Sequence, residues 1–365
     1  MKILYVIHNL SVGGAETLVT NYVIKIKARG EDVSLLVISH VESFLAEKVR
    51  VNNVPYYTLE DNNNVLTRIA RRIISQRTIN KFNKFIDELK PDIIHFHTMF
   101  PCMDKVNFPI NHCVFTYHSR VKRNFLSAKY IKPLMDRLVE KKINFIAISS
   151  EVDNDIKQYF KNANSVVIPN GMDLEEIRRN KYSRNDFCDK LSIPHDAFLI
   201  GQVGRFNPVK NHIFTLNLFK SIIKNRPNSY LLLIGTGNTD EKEFINNSIE
   251  EFGLKNNVKL LGLRNDATSI MSCLDVILLP SKSEAFPLVM IEAQVLNIRC
   301  VSSDAIPDDI VCNPNCFRLS LDAPTDEWIE TIMGNNQELK SYKLSDFDIN
   351  VVIDKHLSLY HKILK

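Results

Sequence analysis

No apolar run in the 365-residue chain is long enough to span a bilayer. The opening stretch, "MKILYVIHNL", has a lysine and a short apolar run but no small-residue cleavage site, so it reads as a first strand and not as a signal peptide. Glycine and proline are sparse, at 11 and 14 residues, which argues against long disordered tracts. Cysteine occurs seven times, an odd number at scattered spacings. Cys312 and Cys316 are the nearest pair, and nothing beside them completes a metal-ligand set, so reduced thiols of a cytoplasmic protein are expected. The net charge is only +4, which makes no case for nucleic acid. The G-x-G-x-x-G fingerprint is missing where the first strand meets the first helix, and this disfavours a nicotinamide dehydrogenase.

What is present is an alternation of strands and helices, run through twice. "KILYVI", "VSLLVIS", "PDIIHFHT", "CVFTYHS", "NFIAISS" and "SVVIPNG" are apolar strands of a first half. Ser150 is placed to cap the helix "EVDNDIKQYF". "FLIGQVGRF", "SYLLLIGTG", "VKLLG", "DVILLP" and "RCVSS" repeat the pattern in a second half. Strands alternating with helices predict an α/β chain with two doubly wound parallel sheets. The expected boundaries are residues 1–170 for the first domain, a polar linker over 171–197, and residues 198–349 for the second. The amphipathic C-terminal helix at about 350–365 is free to pack back on either.

In open parallel sheets ligands bind beyond the carboxyl ends of the strands. After the first strand, "HNLSVGGAET" offers Gly13 and Gly14 ahead of a helix N-terminus, which suits an anion or a sugar hydroxyl. His118 follows "CVFTY", with a solvated surface histidine as the plainer alternative. His95 and His97 alternate on one strand face and read as packing and hydrogen bonding in place of a metal pair. After "LIGQV" comes "GRFNPVKN": Gly204 permits the turn, while Arg205 and Lys210 bring two cations that match a diphosphate. Gly237 lies in a further small-residue turn, and "LRND", with Arg264, is a loop that could face a base edge.

"SEAFPLVMIEAQ" carries most of the chemistry. Pro287 suits a first helical position, where a missing N–H costs nothing. Phe286, Leu288 and Val289 flank it, and the free N–H groups of the helix start make an anion site. Glu292 lies roughly 7 to 8 Å further along the axis, about the span from a diphosphate to a ribose. A carboxylate is a poor phosphate partner but accepts hydrogen bonds from two vicinal hydroxyls. Glu292 is therefore expected at a ribose and Glu284 near the sugar or diphosphate; the bland alternative is a pair of solvated helix-end glutamates.

Taken together, "GGAE", "GRFNPVKN", the interdomain turn "IPNGMD" and the Glu-x7-Glu of "SEAFPLVMIEAQ" resemble the retaining glycosyltransferases of sequence family 4, of GT-B architecture, over nearly the whole chain. The resemblance implies two Rossmann-like domains facing across a cleft. The first would bind the acceptor and the second a nucleotide-sugar donor, a UDP-sugar above all. It implies that Arg205 and Lys210 hold the diphosphate, Glu292 the ribose, and that Glu284 sits by the donor sugar. His118 would contact that sugar and Gly14 belong to the loop over the diphosphate. No metal or cofactor is implied. The variant positions Ala285 and Asn297, and the loop "SSDAIPDDIV", bear on loop shape and sugar choice more than on the charged set.

The implied reaction moves a hexosyl unit, with retention, to a glycan or lipid-linked saccharide during cell-surface polysaccharide synthesis. The basic stretch 67–85 could rest on an anionic membrane at the inner face of the cell membrane, and "SRVKRNF" could meet an acceptor phosphate. Two other readings stay open: a sugar-nucleotide epimerase on the same fold, and a non-catalytic nucleotide-sugar binding protein.

Overall fold

The computed structural model describes residues 1–11, 13–39, 43–60, 76–99, 103–121, 131–337 and 344–365. The described residues form two compact units. The first comprises Met1–Met172 together with Ser345–Lys365, and the second Asp173–Leu344.

In the first unit the strands are β1 (Lys2–Ile7), β2 (Asp32–Ser39), β3 (Tyr56–Glu60), β4 (Ile93–Phe96), β5 (Cys113–Tyr117), β6 (Asn144–Ala147) and β7 (Asn164–Val167). They form one sheet in the order β3-β2-β1-β4-β5-β6-β7, every pair parallel. The apolar runs "ILYVI" and "VSLLVIS" are buried along their length, as expected for strands covered on both faces. In the second unit the strands are β8 (Phe198–Val203), β9 (Ser229–Ile234), β10 (Val258–Gly262), β11 (Val276–Leu279), β12 (Arg299–Ser303) and β13 (Cys316–Leu319). Their order is β10-β9-β8-β11-β12-β13, again all parallel. Its core packs Ile200, Leu216, Phe219, Leu231, Leu278 and Val301 around the fully buried Trp328, whose indole N–H donates to the Ser320 carbonyl at 3.0 Å.

Two strands, β3 and β13, are absent from the sequence reading. Both are edge strands, and their mixed sequences "YYTLE" and "CFRL" lack the continuous apolar run of the inner strands. Residues 171–197, polar enough to read as a linker, instead hold the helices Leu174–Arg179 and Arg184–Leu191. Their polarity is that of capped, exposed surface helices. Asp173 and Ser183 accept from the amides of Glu176 and Asp186, and Arg184 bonds Asp275 and the carbonyls of Ala197 and Cys273.

The chain returns to the first unit at Ser345. Met172 N–H donates to the Phe347 carbonyl at 2.8 Å, and Ile349 N–H donates to the Met172 carbonyl at 2.9 Å. A helix then runs over Ile349–Ile363, with Asp348 capping it through the Asn350 amide. Gly171 sits where this helix comes closest. A Cβ there would stand 2.7 Å from the Val352 Cβ and 3.0 Å from the Ile349 Cα.

Candidate active site

The strand orders say where a crevice opens. β8 lies between β9 and β11, so the loops after β8 and β11 part in opposite directions at the carboxyl edge of the second sheet. Those loops are 204–211 and 280–287, the two segments that carry the charged motifs.

The first is shaped by glycines. Gly204 has φ +152° and Gly235 φ +145°, and a Cβ on Gly235 would stand 1.9 Å from the Gly204 carbonyl oxygen. A Cβ on Gly237 would stand 2.5 Å from the Phe206 carbonyl. Backbone therefore meets backbone where a side chain has no room. Gly235 is missing from the sequence prediction, although "GTG" displays it beside Gly237; the close approach belongs to a pair of loops distant in sequence.

The turn beyond is fixed by Asn207, whose Oδ1 accepts from the amides of Val209 and Lys210, both at 3.0 Å. Buried Gln202 donates from Nε2 to the Lys210 carbonyl at 2.7 Å, and the Lys282 amide donates to the Val209 carbonyl at 2.8 Å. The second loop is thereby tied to the first. Lys210 Nζ reaches Glu284 Oε1 at 2.7 Å, a pair mostly withdrawn from solvent. Arg205 is exposed on the same turn.

Pro287 is the N-cap of the helix Leu288–Val295, one position before the predicted one, and it supplies no side-chain cap bond. The amides of Leu288 and Val289 have no partner within the helix. Phe286 and Val289 are buried beside them. Glu292 stands one turn in, half-buried. Removal from water pushes its carboxyl up to about 7. A carboxylate held this way gains from any ligand hydroxyl that donates to it.

Arg264 is engaged within its own loop. Its guanidinium donates twice to Asp266, at 2.7 and 2.6 Å, and Tyr182 donates to the same carboxylate at 2.6 Å. Arg264 thereby holds the Asp266 carboxyl down at about 2 and lines a cavity of about 340 Å³ with Tyr182, Phe187 and Lys190.

In the first unit Gly13 is the N-cap of the helix Gly14–Ala28, in extended backbone with no side-chain cap bond. A Cβ on Gly13 would fall 2.3 Å from Glu16 Oε2. His118 follows β5 and is half-buried; its Nε2 lies 3.1 Å from Nδ1 of His97, the residue just after β4. Behind them is a buried polar cluster, in which His95 and His97 pack and hydrogen-bond as expected, with partners on the last helix that the sequence did not show. Tyr360 Oη meets His95 Nδ1 at 2.6 Å and Tyr5 Oη at 2.9 Å, and His95 Nε2 meets Thr116 Oγ1 at 2.7 Å. Burial pushes His118 down to about 4 and His356 to about 3; burial first, and neighbouring imidazoles after it, hold His95 and His97 well below the ordinary value, so all four rings are neutral near pH 7.

Among the described residues no group of three or more His, Cys, Asp or Glu is arranged to hold a metal ion. Arg120, counted among the basic residues after His118, is engaged by a two-pronged bond to Asp155 at 2.8 and 3.0 Å. The basic stretch 67–85 lies outside the described residues as far as residue 75. Among the described residues no helix is long and apolar enough to cross a membrane.

Comparison with known proteins shows the family and the fold. Residues 12–176 match the family described as Glycosyltransferase Family 4, and residues 183–313 match Glycosyl transferases group 1. The chain belongs to this glycosyltransferase family, and its fold is GT-B. It is 32% identical over 213 residues to the UDP-Gal:alpha-D-GlcNAc-diphosphoundecaprenol alpha-1,3-galactosyltransferase of Escherichia coli, covering 53% of each chain. It thus spans about half the length of that curated relative. It is 24% identical over 299 residues to the capsular polysaccharide biosynthesis glycosyltransferase CapH of Staphylococcus aureus, covering 77% of this chain and 79% of that one. Among solved structures, Anabaena Alr3699/HepE in complex with UDP and glucose superposes with a TM-score of 0.77 at 18% identity, over 99% of this chain and 100% of that one.

Proposed function

We propose that the protein is a retaining hexosyltransferase that uses a UDP-sugar and acts in cell-surface polysaccharide synthesis, with a saccharide or lipid-linked saccharide as acceptor. The observation that carries this reading is the group built by the two loops at the switch point of the second sheet. Lys210, tied to Glu284, stands with an uncapped helix start and a half-buried Glu292 one turn beyond.

In this reading the diphosphate takes the free amides at Leu288 and Val289 together with Arg205 and Lys210, which stabilise charge as it develops on the leaving oxygens. Glu284 holds Lys210 in place and accepts from the sugar. Glu292 accepts from the ribose hydroxyls, and the glycines Gly204 and Gly237 let backbone close on the ligand. His118 hydrogen-bonds an oxygen of the transferred sugar, and Gly13 and Gly14 offer helix-start amides. Titration with UDP-galactose, UDP-glucose, UDP-GlcNAc and GDP-mannose by thermal shift, wild type beside E292A, tests it. One UDP-sugar should raise Tm in the wild type and not in the variant. No shift with any UDP-sugar, or an equal shift in E292A, would remove the role given to this helix.

A further inference from the structure

His97 and His118 meet nitrogen to nitrogen at 3.1 Å. Both rings are neutral near pH 7, so a single hydrogen lies between them. Two arrangements are possible. In one, His118 donates from Nε2 and His97 carries its own hydrogen on Nε2. That nitrogen is buried and has no hydrogen-bond partner among the described residues, so this arrangement strands an N–H in the interior. In the other, His97 donates from Nδ1 and leaves only a lone pair at Nε2. Orphaned buried N–H groups are the rarer case in folded proteins.

The ring cannot turn to exchange the two nitrogens freely. Tyr5 stacks on His97 at 4.9 Å and 17°, and His95 packs at 4.0 Å. His118 stacks on His97 at 5.4 Å and 28°. With Nε2 of His118 committed as acceptor, its hydrogen must sit on Nδ1.

We infer that His97 is a positioning residue: it fixes His118 as the neutral Nδ1–H tautomer, so that the free nitrogen of His118 donates to a hydroxyl oxygen of the transferred sugar. This rests on the role given to His118 above. A neutral donor of fixed direction selects where a hydroxyl oxygen stands, and so contributes to the choice of sugar and to its orientation for transfer.

Two-bond 1H–15N spectra of the full chain with labelled histidine, at pH 7.5, read the tautomer without any mutation. His118 should show its hydrogen on Nδ1 in the wild type and on Nε2 in His97→Phe, which keeps an aromatic ring but cannot donate. Kinetics follow the same logic. H97F should lower kcat by about 10- to 100-fold, with the donor KM changed less than about threefold, because a mis-set tautomer acts on the reacting complex. His97→Asn, whose amide replaces the Nδ1–H, should recover most of that loss. For the same reason His118→Asn should outperform His118→Gln.

An Nε2–H signal for His118 in the wild type would overturn the inference. So would wild-type kcat in H97F alongside a disabled His118→Phe. Wild-type kcat in H118F would instead sink the role of His118 itself, and the positioning role with it.

Discussion

Glu292 joins burial to an expected pH dependence. Its carboxyl titrates near 7 in the free protein because it is withdrawn from water. A ligand whose hydroxyls donate to the carboxylate binds the ionised form better and lowers that value. Donor affinity should therefore be full above pH 7 and fall as the pH drops through 7, by at most about tenfold per unit. E292Q should bind more weakly and without this slope; calorimetric titration between pH 5.5 and 8 checks both. Lys210 belongs to the same scale. K210A should cut kcat by about 10²- to 10³-fold with a smaller change in donor KM, as loss of a charge-stabilising group does, and steady-state kinetics would show it. These charged residues could be singled out in the sequence because each lies on the loop or helix that follows an apolar strand, Lys210 after β8 and Glu292 on the helix after β11. Tyr360 and His356 were not. They lie on the last helix, more than 200 residues from His95, and no local pattern announces that they share a cluster with it.

At the scale of elements, what the sequence shows best is what depends on near neighbours. The inner strands, buried on both faces, read directly from runs such as "SYLLLI". Helix starts were legible to within one residue. Ser149, and not Ser150, caps the helix Ser150–Tyr159 by accepting from Val152, and Pro287 precedes its helix instead of opening it. Adjacent serines offer the same hydroxyl, so only the backbone angle decides between them. The edge strands β3 and β13 escaped because half-exposed edges carry mixed sequence. The turns after β8 and β9 depend on each other in a way that composition does not show. Gly235→Ala would put a methyl group into the Gly204 carbonyl at a φ that favours glycine. The second unit should lose more than about 2 kcal/mol, and Lys210 should move with its loop. Urea denaturation and donor binding of G235A would register the two effects; an unchanged midpoint would mean the loops part without cost.

At the scale of the whole chain, the second unit is an excursion from the first. The polypeptide leaves at Met172, and Phe347 and Ile349 bond back to that same residue. A short Gly/Ser linker in place of residues 173–344 would therefore span only a small gap. The remaining chain should still fold, since the Tyr5, His95 and Tyr360 bonds lie wholly within it. A cooperative thermal transition and dispersed amide spectra of that deletion are the expected results; an aggregating or molten product would mean that the first unit needs the second.

Those adjoining exit and entry points also bear on how such a protein is made and remade. On the ribosome the first unit waits for the last 21 residues before Tyr5 and His95 find Tyr360, while the second can close as soon as Leu344 has emerged. An inserted block with neighbouring ends is also a unit of exchange. Recombination at these two points would exchange the second unit whole and leave the bonds that Tyr5 and His95 make with Tyr360 in the first as they were.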